Sequence, residues 1–192
     1  MTVHGSGAEI STLYSRLLGA SWSSVAEAVR GVHAARPIAC SHGRVRVTNG
    51  PAPLARILAR MLWLPRPGDA VDTRLVVNAA AGEEQWVRTF DGRRLDTRQY
   101  LATGGELAER YGAFEFRFRL ELSGGGIAFR QVGAAVWLRT FRLRLPSSCA
   151  PRVTACEEPA GEHDVAVHVL VELPLLGPVL AYDGTIAVEA PV

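Results

Sequence analysis

Hydrophobic and polar positions change their period once along this chain, and the change divides it unevenly. In the front part the apolar residues recur at helical spacing. Ile10, Leu13, Tyr14, Leu17 and Leu18 predict a helix that Gly19 stops. "SWSSVAEAVRGVH" reads as a second short helix, with Ser23 or Ser24 as its cap and Glu27 in its first turn. Val45 and Val47 alternate with Arg44 and Arg46 and give a first strand. "PAPLARILARMLWLP" predicts a third helix, with Pro53 in its first turn and one apolar stripe through Leu54, Ile57, Leu58 and Met61.

From residue 71 onward the period is two. Candidate strands cover 73–80, 84–91, 93–101, 105–122, 127–145, 151–158, 163–173 and 179–189. Gly124, Gly125 and Gly126 mark a hairpin between two long strands, because glycine reaches positive φ without steric cost. Many strands at short spacing, with no helices between them, predict an antiparallel sheet closed into a barrel or folded as a sandwich. No helical pattern follows residue 100, which counts against folds that close a curved sheet with a long C-terminal helix. The expectation is a mainly β (α+β) protein: an antiparallel β-barrel-like or strongly curved sheet of about eight strands, with two to three N-terminal helices covering one mouth or side. The 192 residues read as a single domain, with a flexible start at 1–9, a helix-rich part with one strand at 10–64, and antiparallel β structure at 71–189.

Composition narrows the function classes. A hydrophobic fraction of 48% and a net charge of only +2 exclude disorder, and the length allows a core without disulfide or metal staples. All 21 basic residues are arginine, a usage that fits a GC-rich genome. Arginine invites a nucleic-acid reading, but 19 acidic residues nearly cancel it and no run of like charges stands out. No nucleic-acid partner is expected. Cys40, Cys149 and Cys156 form no CxxC pair. No signal-peptide pattern opens the sequence and no apolar stretch is long enough for a membrane span, so a cytoplasmic location is expected.

The sharpest internal feature is a near repeat, "WVRTF" at 86–90 and "WLRTF" at 137–141. At period two, Trp86, Arg88 and Phe90 share one face, as do Trp137, Arg139 and Phe141. The second set continues Ile127, Phe129, Ala135, Leu143 and Leu145, which makes it the apolar and inward face. An inward arginine needs a carboxylate, carbonyls or an oxygenated ligand. Two plainer readings stand beside this one: a structural Arg–carboxylate pair, or a bulge near Gly133 that reverses the parity. Glu109 and Tyr111 fall opposite Phe114, Phe116 and Phe118 unless Gly112 re-aims the strand. Re-aimed, Glu109 becomes a carboxyl in an apolar cavity, suited to general acid chemistry. Otherwise it is an exposed strand-start residue paired with Arg110 or Arg98. Tyr182 shares a face with Leu180, Ile186 and Val188, so its hydroxyl points into a core or pocket. His33 closes the second helix as a capping or packing group. No HExxH, Walker, Rossmann or GxSxG pattern occurs, so no metal, no cofactor and no nucleophilic catalysis is expected.

Several segments together resemble the bacterial family of the domain of unknown function four-one-six-six. They are "LYSRLLGASWSSVAEAVRGVH" (13–33), "PLARILARMLWLPRPG" (53–68), "EQWVRTFDGRRL" (84–95), "GELAERYGAFEFRFRLELSGGG" (105–126), "APRVTACEE" (150–158) and "LPLLGPVLAYDG" (173–184). The resemblance singles out His33, Trp86, Arg88, Phe90, Glu109, Gly112, Glu157 and Tyr182 as motif residues. Tyr111 stands where the family commonly has Phe. Members also occur fused behind saccharopine-dehydrogenase-like reductase domains, which implies an interaction role. In size, architecture and apparent source the chain is also similar to small barrels of actinomycete polyketide pathways that act as cofactor-free cyclases, spiroketal-forming ones included.

Three readings follow. The first is a cofactor-independent cyclase or isomerase acting on a hydrophobic oxygenated molecule such as a polyketide. Its catalytic residues would be Glu109, Tyr182 and Arg88, and its substrate-binding residues Trp86, Phe90, Tyr111, Trp137, Arg139, Phe141 and His33. The second is a non-catalytic carrier of lipid or polyketide. The third is an interaction module for a reductase. Monomer and homodimer both remain open.

Overall fold

The computed structural model describes residues 12–33, 38–80 and 82–189. The opening at 1–9 and Ile10 lie outside the described residues. Helix α1 (Leu13–Leu18) is capped by the Thr12 hydroxyl, which accepts the Ser15 N–H. A 3-10 segment, Gly19–Ser24, leads into α2 (Glu27–Val32). Glu27 sits in the first turn of α2, as its pattern predicts, but Ser23 and Ser24 do not cap it. Both serines are used in the 3-10 turn, so Ala26 takes the cap position, and its N–H donates to the Gly125 carbonyl across the molecule. A third helix, α3 (Pro53–Met61), begins with proline at its first turn.

Eleven antiparallel strands among the described residues form one sheet: β1 Ile38–Asn49, β2 Gly68–Ala80, β3 Glu83–Phe90, β4 Arg93–Ala102, β5 Glu106–Tyr111, β6 Phe114–Ser123, β7 Gly126–Leu138, β8 Phe141–Arg144, β9 Arg152–Pro159, β10 Asp164–Leu173 and β11 Gly177–Val188. Ten of them close a barrel, because β11 returns to pair with β1 from Ser41↔Val188 to Asn49↔Leu180. A Cβ on Gly43 or Gly184 would strike the carbonyl of Thr185 or Arg44, so glycine permits the close approach along this seam.

Eleven strands exceed the expected eight because the first strand adds to the eight runs beyond residue 71 and two of those runs each divide. Two long periodic runs each contain a two-residue hairpin turn. Gly112, at φ 56°, lets the chain reverse between Tyr111 and its partner Phe114, so 105–122 is β5 and β6. Arg139, at φ 57°, does the same between Leu138 and Phe141, so 127–145 is β7 and β8. One edge of β7 is consequently shared. Ile127–Arg130 pair with β9 and Ala135–Leu138 pair with β8. Between them the Gln131 side chain bridges the gap, donating to the Pro151 carbonyl and accepting the Val153 N–H.

The helices occupy both ends of the barrel, not one. At one end Leu13, Tyr14, Val29 and Val32 are fully buried against Trp86, Phe118, Phe129 and Val165. At the other end α3 packs on β1 and β11. It turns Ala55 and Ala59 inward, while the large stripe residues Leu54, Ile57 and Met61 are exposed. Of the stripe read from sequence, only Leu58 faces inward, where it lines the cavity. Small alanines win because the helix lies close over the strand ends, where larger side chains would not fit.

Candidate functional site

A ten-stranded barrel is wider than one that side chains alone can fill. The interior holds a cavity of about 250 Å³, walled mostly by Val, Leu and Phe side chains. The wall carries a polar island from three neighbouring strands and one opposite. On β3, residues 84, 86, 88 and 90 alternate inward, which brings Arg88 between Trp86 and Phe90. The Arg88 guanidinium lies 4.8 Å from the Trp86 ring centroid. It donates to the Thr97 hydroxyl of β4 at 2.8 Å and to Glu109 of β5 at 3.3 Å. Burial alone would lower the Arg88 pKa; the Tyr182 phenol and the Glu109 carboxylate outweigh it, so the pKa is raised.

Glu109 reaches the cavity because Gly112 is a turn and not a bulge. Direct cross-strand partners share a face, and Glu109 pairs with Phe116 while Tyr111 pairs with Phe114. Tyr111 donates its hydroxyl to the Leu62 carbonyl, tying β5 to the chain just past α3. Tyr182 on β11 packs its ring 5.2 Å from Phe90. Burial raises its pKa, Arg88 opposes this, and Glu109 and Glu157 add to it. No described residue makes a hydrogen bond with the Tyr182 hydroxyl, so that group keeps its donor capacity inside the cavity.

The helical end is sealed by a second polar layer. Tyr14 donates to Gln99 Oε1 at 2.7 Å and stacks on the His33 ring at 3.5 Å. His33 Nε2 meets Glu157 Oε2 at 2.6 Å, and its Nδ1 is buried without a partner among the described residues. Burial pushes the Tyr14 phenol well above its ordinary pKa, helped by Glu157 and Glu84. Burial also raises the Glu84 carboxyl, against the pull of His33 and the Trp86 N–H, which donates to it at 2.9 Å.

Of the residues singled out from sequence, Arg88, Glu109, Tyr182, Trp86, Phe90 and Tyr111 line the cavity. His33 lies behind Glu157 and not in the wall. Trp137, Arg139 and Phe141 are not inside. A bulge at Val132, between the pairs Phe118↔Gln131 and Arg117↔Gly133, reverses the parity of β7, and the Arg139 turn then ends it. Phe141 is 78% exposed. Thr97 and Gln99 belong to the cavity and were missed by sequence. Their signal is period two on β4, where Leu95, Thr97 and Gln99 alternate inward.

Trp137 instead helps build a buried charge cluster on the outer surface of the barrel. The Glu115 side chain has 0% exposure. It accepts from Arg142 at 2.8 Å, Trp137 at 2.7 Å, Tyr100 at 2.8 Å and Arg117 at 3.1 Å. Burial would raise its pKa, but these hydrogen bonds prevail and hold it down at about 2. The Tyr100 phenol is pushed up to about 12 by burial and by that same carboxylate.

Fold and site together define a closed antiparallel β-barrel with an internal cavity and one polar island in its wall. The chain belongs to the family described as Domain of unknown function (DUF4166), whose model matches residues 26–186. The match spans all the cavity strands, while Tyr14 of the sealing layer precedes it. No curated protein and no solved structure matches the chain. Among the described residues no helix is long and apolar enough to cross a membrane, and no group of three or more His, Cys, Asp or Glu could hold a metal ion.

Proposed function

We propose that the barrel binds a hydrophobic, oxygenated small molecule of the polyketide type and acts on it as a cofactor-independent cyclase or isomerase. The observation that carries this reading is the polar island. Arg88, Glu109 and the unpartnered Tyr182 hydroxyl converge in a cavity whose remaining wall is apolar. Such a site orients a flexible apolar chain by shape and fixes one oxygen by hydrogen bonds.

Ring closure by addition of a hydroxyl to a carbonyl conserves atoms and electrons. The hydroxyl proton leaves as the C–O bond forms, and the carbonyl oxygen gains a proton as its π bond opens. Glu109 is the group to carry that proton from one oxygen to the other. Arg88 and Tyr182 would hold the carbonyl oxygen as charge develops on it. Orientation of the reacting ends contributes up to about 7–11 kcal/mol in ideal cases, and positioned proton transfer about 10²–10⁴-fold. Spiroketal formation begins with this addition and ends when a second hydroxyl replaces the new hemiketal hydroxyl, which leaves as water after taking a proton from Glu109.

A carrier without catalysis is the second reading. It is favoured by the Arg88–Glu109 ion pair, which already engages the carboxylate. Native mass spectrometry of ligand-loaded protein separates the two. An enzyme releases a product isomeric with its substrate or, for a spiroketal, lighter by one water, and Glu109→Gln retains the ligand but releases it unchanged. Release of unaltered ligand by the wild type would establish the carrier.

A further inference from the structure

Large exposed apolar side chains gather at one end of the barrel. Ile57, Met61 and Trp63 stand on or just after α3, Leu138 and Phe141 flank the β7–β8 turn, and Leu175 lies in the β10–β11 turn. Antiparallel order puts these three connections at the same end. Trp63 is held outward, since Arg93 stacks on its ring at 4.6 Å while bonding the Leu64 carbonyl. Patches of this kind on a water-exposed surface mark a contact face.

Charge identifies what the face contacts. Arg56, Arg60 and Arg66 flank the α3 residues, and Arg139 and Arg144 flank the β7–β8 turn; all five are exposed. Residues 50–68 contain no Asp or Glu, and neither do residues 122–156. Of the carboxylates nearby in sequence, Asp69 faces Arg46 at 3.7 Å, Asp91 accepts the Asp72 N–H, and Glu172 lies half-buried three residues before Leu175. An apolar stripe with Trp and Phe, bordered by more exposed arginines than acids, is the composition of a surface that lies in a lipid interface.

We propose that this end of the barrel docks on an anionic lipid bilayer, with the apolar side chains entering the headgroup–acyl boundary and the arginines reaching lipid phosphates. Leu58 and Leu62 of the same segment also line the cavity, so docking sets the cavity wall against the membrane. The docking face is independent of the chemistry inside. Glu109→Gln therefore leaves vesicle binding unchanged.

Co-sedimentation tests this with phosphatidylcholine vesicles alone and with phosphatidylglycerol added. Binding is expected only to the anionic vesicles, and it weakens as salt rises. Replacing Arg56, Arg60 and Arg66 together by Ser should weaken partition about 100-fold, at roughly fivefold for each arginine. Met61→Ser, at a side chain with little packing to lose, should weaken it about 10-fold without changing the melting temperature. Equal partition of the wild type and the triple variant, or no binding to either vesicle, overturns the proposal. So does a dimer in sedimentation equilibrium that Met61→Ser breaks, because the face would then belong to a second copy.

Discussion

Two carboxylates on neighbouring strands face opposite sides of the barrel wall: Glu109 on β5 points into the cavity, and Glu115 on β6 points outward under the β7–β8 hairpin. Both have arginine partners, but they are satisfied to different degrees. Glu115 is surrounded by two arginines, an indole and a phenol, all at 3.1 Å or closer. Among the described residues Glu109 has one partner, Arg88, at 3.3 Å, and the neighbouring Tyr182 hydroxyl has none. A carboxylate with all its acceptor positions filled is committed to architecture. One with long, sparse contacts in a cavity keeps capacity for a ligand. Ion pairing alone therefore does not separate a structural acid from a chemical one; saturation does.

The comparison can be broken most directly at Glu115. Glu115→Gln leaves two arginines around a buried position without their counter-charge and is expected to cost about 3–5 kcal/mol in urea unfolding. A loss under about 1 kcal/mol would show that the cluster is not structural. The pH dependence has a definite sign. A carboxyl held at about 2 in the fold, against an ordinary 4.5, stabilises the fold above pH 4.5. That contribution, about 3 kcal/mol, is lost as pH falls from 4.5 toward 2. Acid titration of stability should show this loss in the wild type and not in Glu115→Gln. Glu109→Gln should cost less stability, about 1–2 kcal/mol, while abolishing turnover. Equal stability costs at the two positions would erase the distinction. The smallest effect on folding belongs to Tyr182→Phe, within about 0.5 kcal/mol because no hydrogen bond is lost. It should still weaken ligand retention several-fold in native mass spectrometry.

Period two and the glycine turn at 124–126 carried most of the barrel in sequence, since alternation is what a half-buried strand requires. The inward face of β3 was legible for the same reason. The strand errors have a main cause. Positive-φ turns at Gly112 and Arg139 sit inside unbroken apolar periodicity, and Arg139 is not a residue type that signals such a turn. Reading across them merged four strands into two. It also left the side of Glu109 undecided and placed Arg139 and Phe141 inside, while the bulge at Val132 is what turns Trp137 outward. For α3 the hydrophobic stripe was read correctly as a pattern but not as a direction. A stripe states which residues lie together, not whether core or another surface receives them. Glu115 gave no signal, because its partners come from β4, β7 and β8 and meet only in three dimensions.

The seam where β11 lies between β1 and β10 bears on how the molecule is made. Ser41 pairs early with Leu75 of β2 but must wait for Val188 before its second edge is paired, so a growing chain carries one open edge of β1 until β11 has been made. Pairings this distant in sequence are slow to form, because the loop-closure entropy is lost before the contacts repay it. Until then the apolar interior faces solvent and the unpaired edges are templates for association. Tyr182 arrives on that last strand, so the cavity and its polar island come into being in the same event that ends the aggregation hazard.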